Sequence, residues 1–242
     1  MSDQPRPPYA GVFGGGGLFG IGYGLGIVDG LRERGIDLTN SPMLGTSAGS
    51  WVAAATALGV TFETLVSLPV PTFPNPKEGV LATTAELAFG RRTHANVSVV
   101  VTRIPRLTRT VLHGDTTPLA NLVAASSAVP GLLAPQRIDG VRYVDGGVRS
   151  AVSVDLAPAA DTLVIIAPLA GAMFGPFGRV VDNRTDKQQD IWRERHGGQF
   201  LEFSPRASTA GIATLPHHLF DQDRAIEAYH RGRNEATYIS LP

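Results

Sequence analysis

The sequence predicts an α/β domain, and three observations carry that prediction. Strand-like and helix-like segments alternate along most of the chain, the pattern of a sheet with helices packed on it. Four glycines in a row, Gly14–Gly17, follow directly on a short apolar strand and lead into a helix, as a turn at a sheet edge does. Thr162–Ala167 (Thr-Leu-Val-Ile-Ile-Ala) is apolar nearly throughout, which suits a central strand of a parallel sheet covered on both faces.

The elements follow in order. Met1–Pro8 is polar and Pro-rich and reads as a loose tail, which leaves residues 9–242 as one domain. Tyr9–Phe13 is a short buried strand. Leu18–Arg34 reads as a helix closed by Gly35, although Gly20, Gly22, Gly24 and Gly26 each cost it about 1 kcal/mol relative to Ala. Close packing of this helix on the sheet is the expected compensation. Met43–Leu44 ends a second strand, and Ala48–Leu58 is a helix with Gly59 placed to stop it. Thr61–Val80 holds Pro69, Pro71, Pro74 and Pro76 and is expected to be an irregular surface loop. Val97–Ile104 is β-branched and strand-like, with Thr108–Leu112 able to pair with it. Leu119–Ala125 looks helical, and Val141–Val144 is a strand leading into Asp145-Gly146-Gly147. After Thr162–Ala167, Leu169–Val181 reads as an apolar, Gly-rich loop. Asp221–Thr237 is a charged amphipathic helix, and Tyr238–Leu241 is expected to form a last strand. No internal repeat and no domain linker is evident.

Composition bounds the function. Of 242 residues, 43% are hydrophobic and 17% charged, the balance of a folded globular chain. Lys+Arg and Asp+Glu both number 21, so the formal net charge is zero. Nothing marks a nucleic-acid partner or long-range attraction to an anionic membrane; a peripheral membrane contact would be mainly apolar. The chain has no cysteine, hence no disulfide, thiolate metal site or cysteine nucleophile, in keeping with a cytoplasmic location. The uncharged run Pro7–Val28 is too rich in glycine for a membrane span. It also lacks the basic cluster and cleavage site of a secretory leader. His94, His113, His196 and His230 show no metal-ligand spacing.

Two glycine motifs carry the chemistry. Gly45-Thr46-Ser47-Ala48-Gly49 fits G-x-S-x-G, in which a serine sits on a sharp strand-to-helix turn. Such a turn exposes the hydroxyl beside free backbone N–H groups and suits attack on an acyl carbon. With 28 glycines in the chain, the match alone is weak. Gly15-Gly16-Gly17-Leu18-Phe19-Gly20 satisfies G-x-G-x-x-G, but a Rossmann-type dinucleotide site would need an acidic residue at the end of the next strand. Asp37 has the spacing, yet no strand fits between it and Gly35. A P-loop lacks its Gly-Lys-Ser/Thr. The Rossmann reading stays open as a less favoured one, and a plain tight turn explains one or two glycines better than four in a row. The third reading is an oxyanion hole, in which successive N–H groups face one space unobstructed by side chains.

At this point the residues resemble the patatin-like phospholipase family. The resemblance rests on Gly14–Gly20, Gly45–Gly49 and Asp145-Gly146-Gly147, in that order. Ala125-Ser126-Ser127-Ala128-Val129-Pro130-Gly131 and Val154-Asp155-Leu156-Ala157 add to it. It implies a three-layer α/β/α fold with a mostly parallel central sheet and helices on both faces. It also implies a lipid acyl hydrolase, phospholipase A- or esterase-like, with a Ser–Asp dyad. Ser47 would be the nucleophile and Asp145 the general base. Gly15, Gly16 and Gly17 would line the oxyanion hole, helped by the N–H of Ala48. The substrate would be a lipid or acyl ester, and the scheme needs no metal and no cofactor. Many relatives carry a basic residue in the first motif where Leu18 and Phe19 stand here. The oxyanion site would then rest on backbone donors alone, an arrangement that leaves catalysis intact, weakens it, or tunes it toward a neutral lipid.

Alternatives stay open. An α/β-hydrolase triad in the order Ser47, Asp145, His217 or His218 fits the motif order, but such folds place more strands before the nucleophile than the 46 residues preceding Ser47 allow. A non-catalytic or acyltransferase-like lipid-binding relative would keep the same fold. Leu65–Val80 (Leu68, Val70, Phe73) and Leu169–Val181 (Met173, Phe174, Phe177) are each candidates for a lid over the site or for ordinary packed loops. Head group, acyl length and oligomeric state are not written in the sequence.

Overall fold

The computed structural model describes residues 6–238. In chain order the elements are β1 (Tyr9–Phe13), α1 (Gly17–Glu33), β2 (Met43–Thr46), α2 (Ala48–Leu58), α3 (Phe62–Val66), α4 (Val80–Phe89), β3 (Val97–Arg103), β4 (Thr108–His113), α5 (Leu119–Ser126), β5 (Gln136–Ile138), β6 (Val141–Asp145), β7 (Thr162–Ile166), α6 (Pro176–His196), β8 (Gln199–Phe203), α7 (Ala207–Ala210) and α8 (Gln222–Thr237). The strands form one sheet. Its centre, β3-β2-β1-β7-β8, is parallel throughout. β4 and the β5–β6 hairpin join it antiparallel at β3.

The way β3 is shared matters most. β4 covers one edge of it from Ser98 to Arg103. On the other edge β2 pairs with Val97–Val100 and β6 with Val101–Arg103. β2 ends with Thr46 opposite Val100, while β6 arrives from the other direction and ends with Asp145 opposite Val101. The two strands therefore meet end to end, and the residues at their tips are brought together by pairing alone.

Alternating side chains build two cores, as strand geometry requires. Phe13, Met43, Val99, Val101, Val164 and Ile166 face one side, under α1, α2, α4, α5 and α8. Val12, Leu44, Val100, Leu163 and Ile165 face the other, where α6 adds Val181 and Trp192. This is the three-layer α/β/α arrangement, with a mostly parallel sheet.

The glycines of α1 work differently from expectation. A Cβ on Gly22 or Gly26 would run into the carbonyls of Ala225 and Tyr229 on α8, and one on Gly24 would lie 2.8 Å from Val52 on α2. The helix recovers its propensity cost by close packing between two helices, not on the sheet.

Several other expectations change. The segment Thr61–Val80 is not irregular from its start: Thr61 caps the short α3, its side chain accepting from the N–H of Thr64. Leu169–Val181 is a loop only as far as Gly175, because Pro176 sits at the first turn of α6 and presets its φ. Met173 of this segment is fully buried. The strand expected over Tyr238–Leu241 is not seen at Tyr238, which closes α8, and 239–242 lie outside the described residues. Of the expected tail, residues 1–5 also lie outside them, whereas Pro7 and Pro8 accept hydrogen bonds from Asp161 and Thr162. No helix among the described residues is long and apolar enough to cross a membrane.

Candidate active site

Ser47 stands between β2 and α2 with φ 52 and ψ −121, a strained backbone for a residue with a side chain. The turn closes this tightly because its flanking residues are glycine. A Cβ on Gly45 would run into the Gly49 carbonyl, and one on Gly49 into the Phe13 carbonyl. The N–H of Ser47 donates to Ser126 Oγ at 2.9 Å, and Ser126 Oγ donates in turn to the Val100 carbonyl at 2.7 Å. The Ser47 carbonyl accepts from Ser50 Oγ at 2.6 Å. Its backbone is thus fixed on both sides, while the hydroxyl is left to the cavity. Ser47 also caps α2, where the helix dipole favours developing negative charge.

Asp145 closes β6. Its N–H donates to the Ala128 carbonyl at 3.0 Å, and its own carbonyl accepts from Thr102 Oγ1 at 3.1 Å. The carboxylate turns inward and is only 4% exposed, so this Asp-Gly-Gly is no surface turn. Its Oδ1 accepts from the N–H of Gly147 at 2.6 Å. Burial pushes its pKa up to about 6, against the pull of hydrogen bonds from the Ser47 hydroxyl and the Gly147 N–H. At neutral pH the group is ionised, yet basic enough to take a proton.

The glycine turn faces the same place. A Cβ on Gly15 would lie 3.3 Å from the Ser47 Cβ, so only glycine leaves room for a reacting carbonyl there. Gly15 is nevertheless not free to donate, because its N–H is held by the Ala151 carbonyl at 2.9 Å. Gly15 lines the cavity with Ser47 all the same. Gly16 (φ 155) and Gly17 (φ 60) open α1, and Ala48 opens α2. The N–H groups at the start of a helix have no intrahelical acceptor, and all three residues line the cavity with Ser47.

That cavity measures about 430 Å³. Ser47 and Asp145 lie in a wall that is mostly apolar, with Trp51, Phe62, Leu65, Leu132 and Leu133. The Pro-rich segment after α3 covers it. Phe73 from that segment meets Phe220 with ring centroids 5.1 Å apart, and both face the cavity. Of the second lid candidate, Leu169 and Phe177 line the cavity, while Phe174 is half-buried. Val148 and Phe177 line it and are 46% and 50% exposed, which places them at its mouth.

Other candidates stand elsewhere. His217 is exposed and His218 half-buried on a 3-10 turn, Pro216–Phe220, and neither lines the cavity. Asp37 accepts from the N–H and hydroxyl of Thr39 at 2.9 and 2.6 Å, a local turn with no strand before it. No group of three or more metal-ligating side chains occurs among the described residues. Sequence reasoning missed the positioning residues. Ser126 and the Ala151 carbonyl are two, and Ser127, which accepts from Trp51 Nε1 at 3.1 Å, is a third. The family-like stretch around Ser126 was the only signal for them.

Comparison with known proteins finds a family model, curated relatives and a solved structure similar to this chain. Residues 67–158 match the family model described as patatin-like phospholipase. That span includes Asp145; Ser47 and the glycine turn precede it. Two uncharacterized NTE family proteins, from Mycobacterium bovis and Mycobacterium tuberculosis, are each 29% identical over 196 residues, 72% of this chain and 52% of theirs. The chain thus spans about half the length of the curated relatives it matches. A crystal structure of VipD from Legionella pneumophila superposes with a TM-score of 0.49 at 15% identity, covering 96% of this chain and 67% of its own.

Proposed function

We propose that the chain, which matches the patatin-like phospholipase family model over residues 67–158 and is 29% identical to NTE family relatives, is a member of that family and a lipid acyl hydrolase working through an acyl-enzyme on Ser47. One observation carries the reading: a serine on a strained turn and a buried carboxylate line one largely apolar cavity.

The reaction runs in two halves. Ser47 Oγ attacks the ester carbonyl carbon and its proton passes to the Asp145 carboxylate. The N–H groups of Gly16, Gly17 and Ala48 take the negative oxygen; one such donor is typically worth about 2.7–4 kcal/mol of barrier. The carbon–oxygen bond to the alcohol then breaks, and the leaving oxygen takes the proton back from Asp145. Water enters, gives its proton to Asp145 and attacks the acyl carbon. The bond to Ser47 breaks, Oγ recovers the proton, and the fatty acid leaves. An alcohol in place of water would make the same site an acyltransferase. Val148 and Phe177 at the mouth are the residues through which a peripheral lipid contact would be made.

Fluorophosphonate labelling tests the reading. Stoichiometric labelling that disappears in Ser47→Ala supports the enzyme. Well-folded protein that takes no label would mean a lipid-binding relative without activity. Mass identification of products separates hydrolysis from transfer.

A further inference from the structure

The reading as an acyl hydrolase says nothing of which esters enter, but the cavity does. Among the described residues that line it, Asp145 is the only one with an ionisable side chain. Its remaining polar side chains are Ser47, Thr84 and Ser127, and Ser127 already accepts the indole N–H of Trp51. Among the described residues, no Lys, Arg or His lines the cavity. Arg149 follows Val148 in sequence, but it is exposed and forms no part of the wall.

Such a space treats charge in one way. An anionic group close to the ester would leave water for an apolar wall with no cation to pair with it, which is costly. It would also approach the buried carboxylate that the reaction needs ionised, a like-charge repulsion strengthened by the low polarity around it. An uncharged ester meets neither cost. The volume of about 430 Å³ lies low in the range of roughly 300–1,000 Å³ that holds one small ligand. It suits a single acyl chain.

We propose that this site takes uncharged acyl esters, such as a monoacylglycerol or a simple alkyl ester, and discriminates against esters carrying a phosphate next to the scissile bond. The proposal rests on the hydrolase reading only for the word ester; the preference itself is one of binding. It is therefore tested with ligands that cannot be cleaved. A monoalkylglycerol and the matching monoalkylglycerol phosphate, both ether-linked and below their micelle concentrations, are titrated into the whole protein by calorimetry. The uncharged ligand is expected to bind at least about tenfold tighter, the scale on which one unpaired group is discriminated. Equal binding, or tighter binding of the phosphate, overturns the proposal.

A variant checks the cause. Val148→Lys places a cation at the mouth, at a position already half-exposed. It should narrow the gap by strengthening phosphate binding; a gap left unchanged would mean that charge does not set it, and the proposal falls. Neither ligand is hydrolysed, so these outcomes are independent of whether fluorophosphonate labels Ser47, and the two readings fail separately.

Discussion

The backbone N–H of Ser47 donates to Ser126 Oγ at 2.9 Å across 79 residues of chain. The same hydroxyl reaches on to the Val100 carbonyl, so α5 and β3 together hold the turn that presents the proposed nucleophile. Removing it in Ser126→Ala leaves the Ser47 N–H without an acceptor. The expected cost is about 1–3 kcal/mol of stability. A nucleophile misplaced by a fraction of an ångström should also lose about tenfold or more in kcat with little change in KM. Urea unfolding and steady-state kinetics check both; unchanged kcat would show that the strained turn holds itself.

Asp145 ties activity and stability to pH in opposite directions. As the proposed base it must be ionised, so turnover should rise with pH through about 6 and then level off. For stability, a carboxyl raised from 3.8 to about 6 by burial holds its proton in the folded state where the unfolded chain has released it. Stability from this group therefore falls as pH rises from about 4 to about 6, and the loss is complete above that. Asp145→Asn should abolish turnover yet be more stable than the parent at pH 7.5, by up to about 3 kcal/mol. The gain should vanish near pH 3.5. Denaturant titrations at the two pH values decide it; a destabilised variant at pH 7.5 would mean that the Ser47 and Gly147 hydrogen bonds outweigh the burial.

Gln188 acts from the far side of the sheet. It is buried on α6, where its Nε2 donates to Ser150 Oγ at 3.0 Å and its Oε1 accepts from the N–H of Val154 at 3.1 Å. The loop it clamps carries Ala151, whose carbonyl holds Gly15. Gln188→Ala should loosen that carbonyl and the glycine turn with it. We expect a lower rate of fluorophosphonate labelling at Ser47 while the affinity for an uncleavable ether ligand stays near the parent's. Loss of both in proportion would indicate general unfolding instead.

Phe177 tests whether the mouth touches lipid aggregates. It is half-exposed, lines the cavity and meets Phe174 with ring centroids 6.3 Å apart. Phe177→Asp should lower activity on micellar ester several-fold more than on the same ester below its micelle concentration. Equal effects on the two forms would leave Phe177 a packed loop residue only.

What the sequence could disclose was set by where the physics is local. The strand before Gly14, the turn around Ser47 and the helix after it depend on neighbours a few residues away, and all were legible. So was Asp145, through the motif that holds it. The helix α6 was not. Its inward stripe runs Gly178, Val181, Thr185, Gln188 and Trp192, with helical spacing but too few apolar side chains to register as amphipathic. The buried Gln188 there serves hydrogen bonds to a loop more than 30 residues earlier, information that no window contains. Nor could the sequence show that Gly15 spends its N–H on Ala151, or that β2 and β6 share one edge of β3. Both are pairings between distant segments.

The histidines separate a dyad from a triad. His217 and His218 are the two whose order in the chain fits a triad, and both sit on the turn Pro216–Phe220. Leu219 and Phe220 of that turn line the cavity, whereas the two histidines do not. The local bond they offer, from the N–H of Leu215 to His218 Nδ1 at 3.3 Å, concerns the turn alone. Replacing both with alanine should change stability by less than about 0.5 kcal/mol and leave kcat within about twofold of the parent. Ser47→Ala and Asp145→Ala should each abolish turnover. In a triad the imidazole carries every proton, and its loss would cost orders of magnitude. Kinetics of the double histidine variant beside the two single ones therefore discriminates: a collapse of kcat in the histidine variant would make Asp145 an orienting group and not the base.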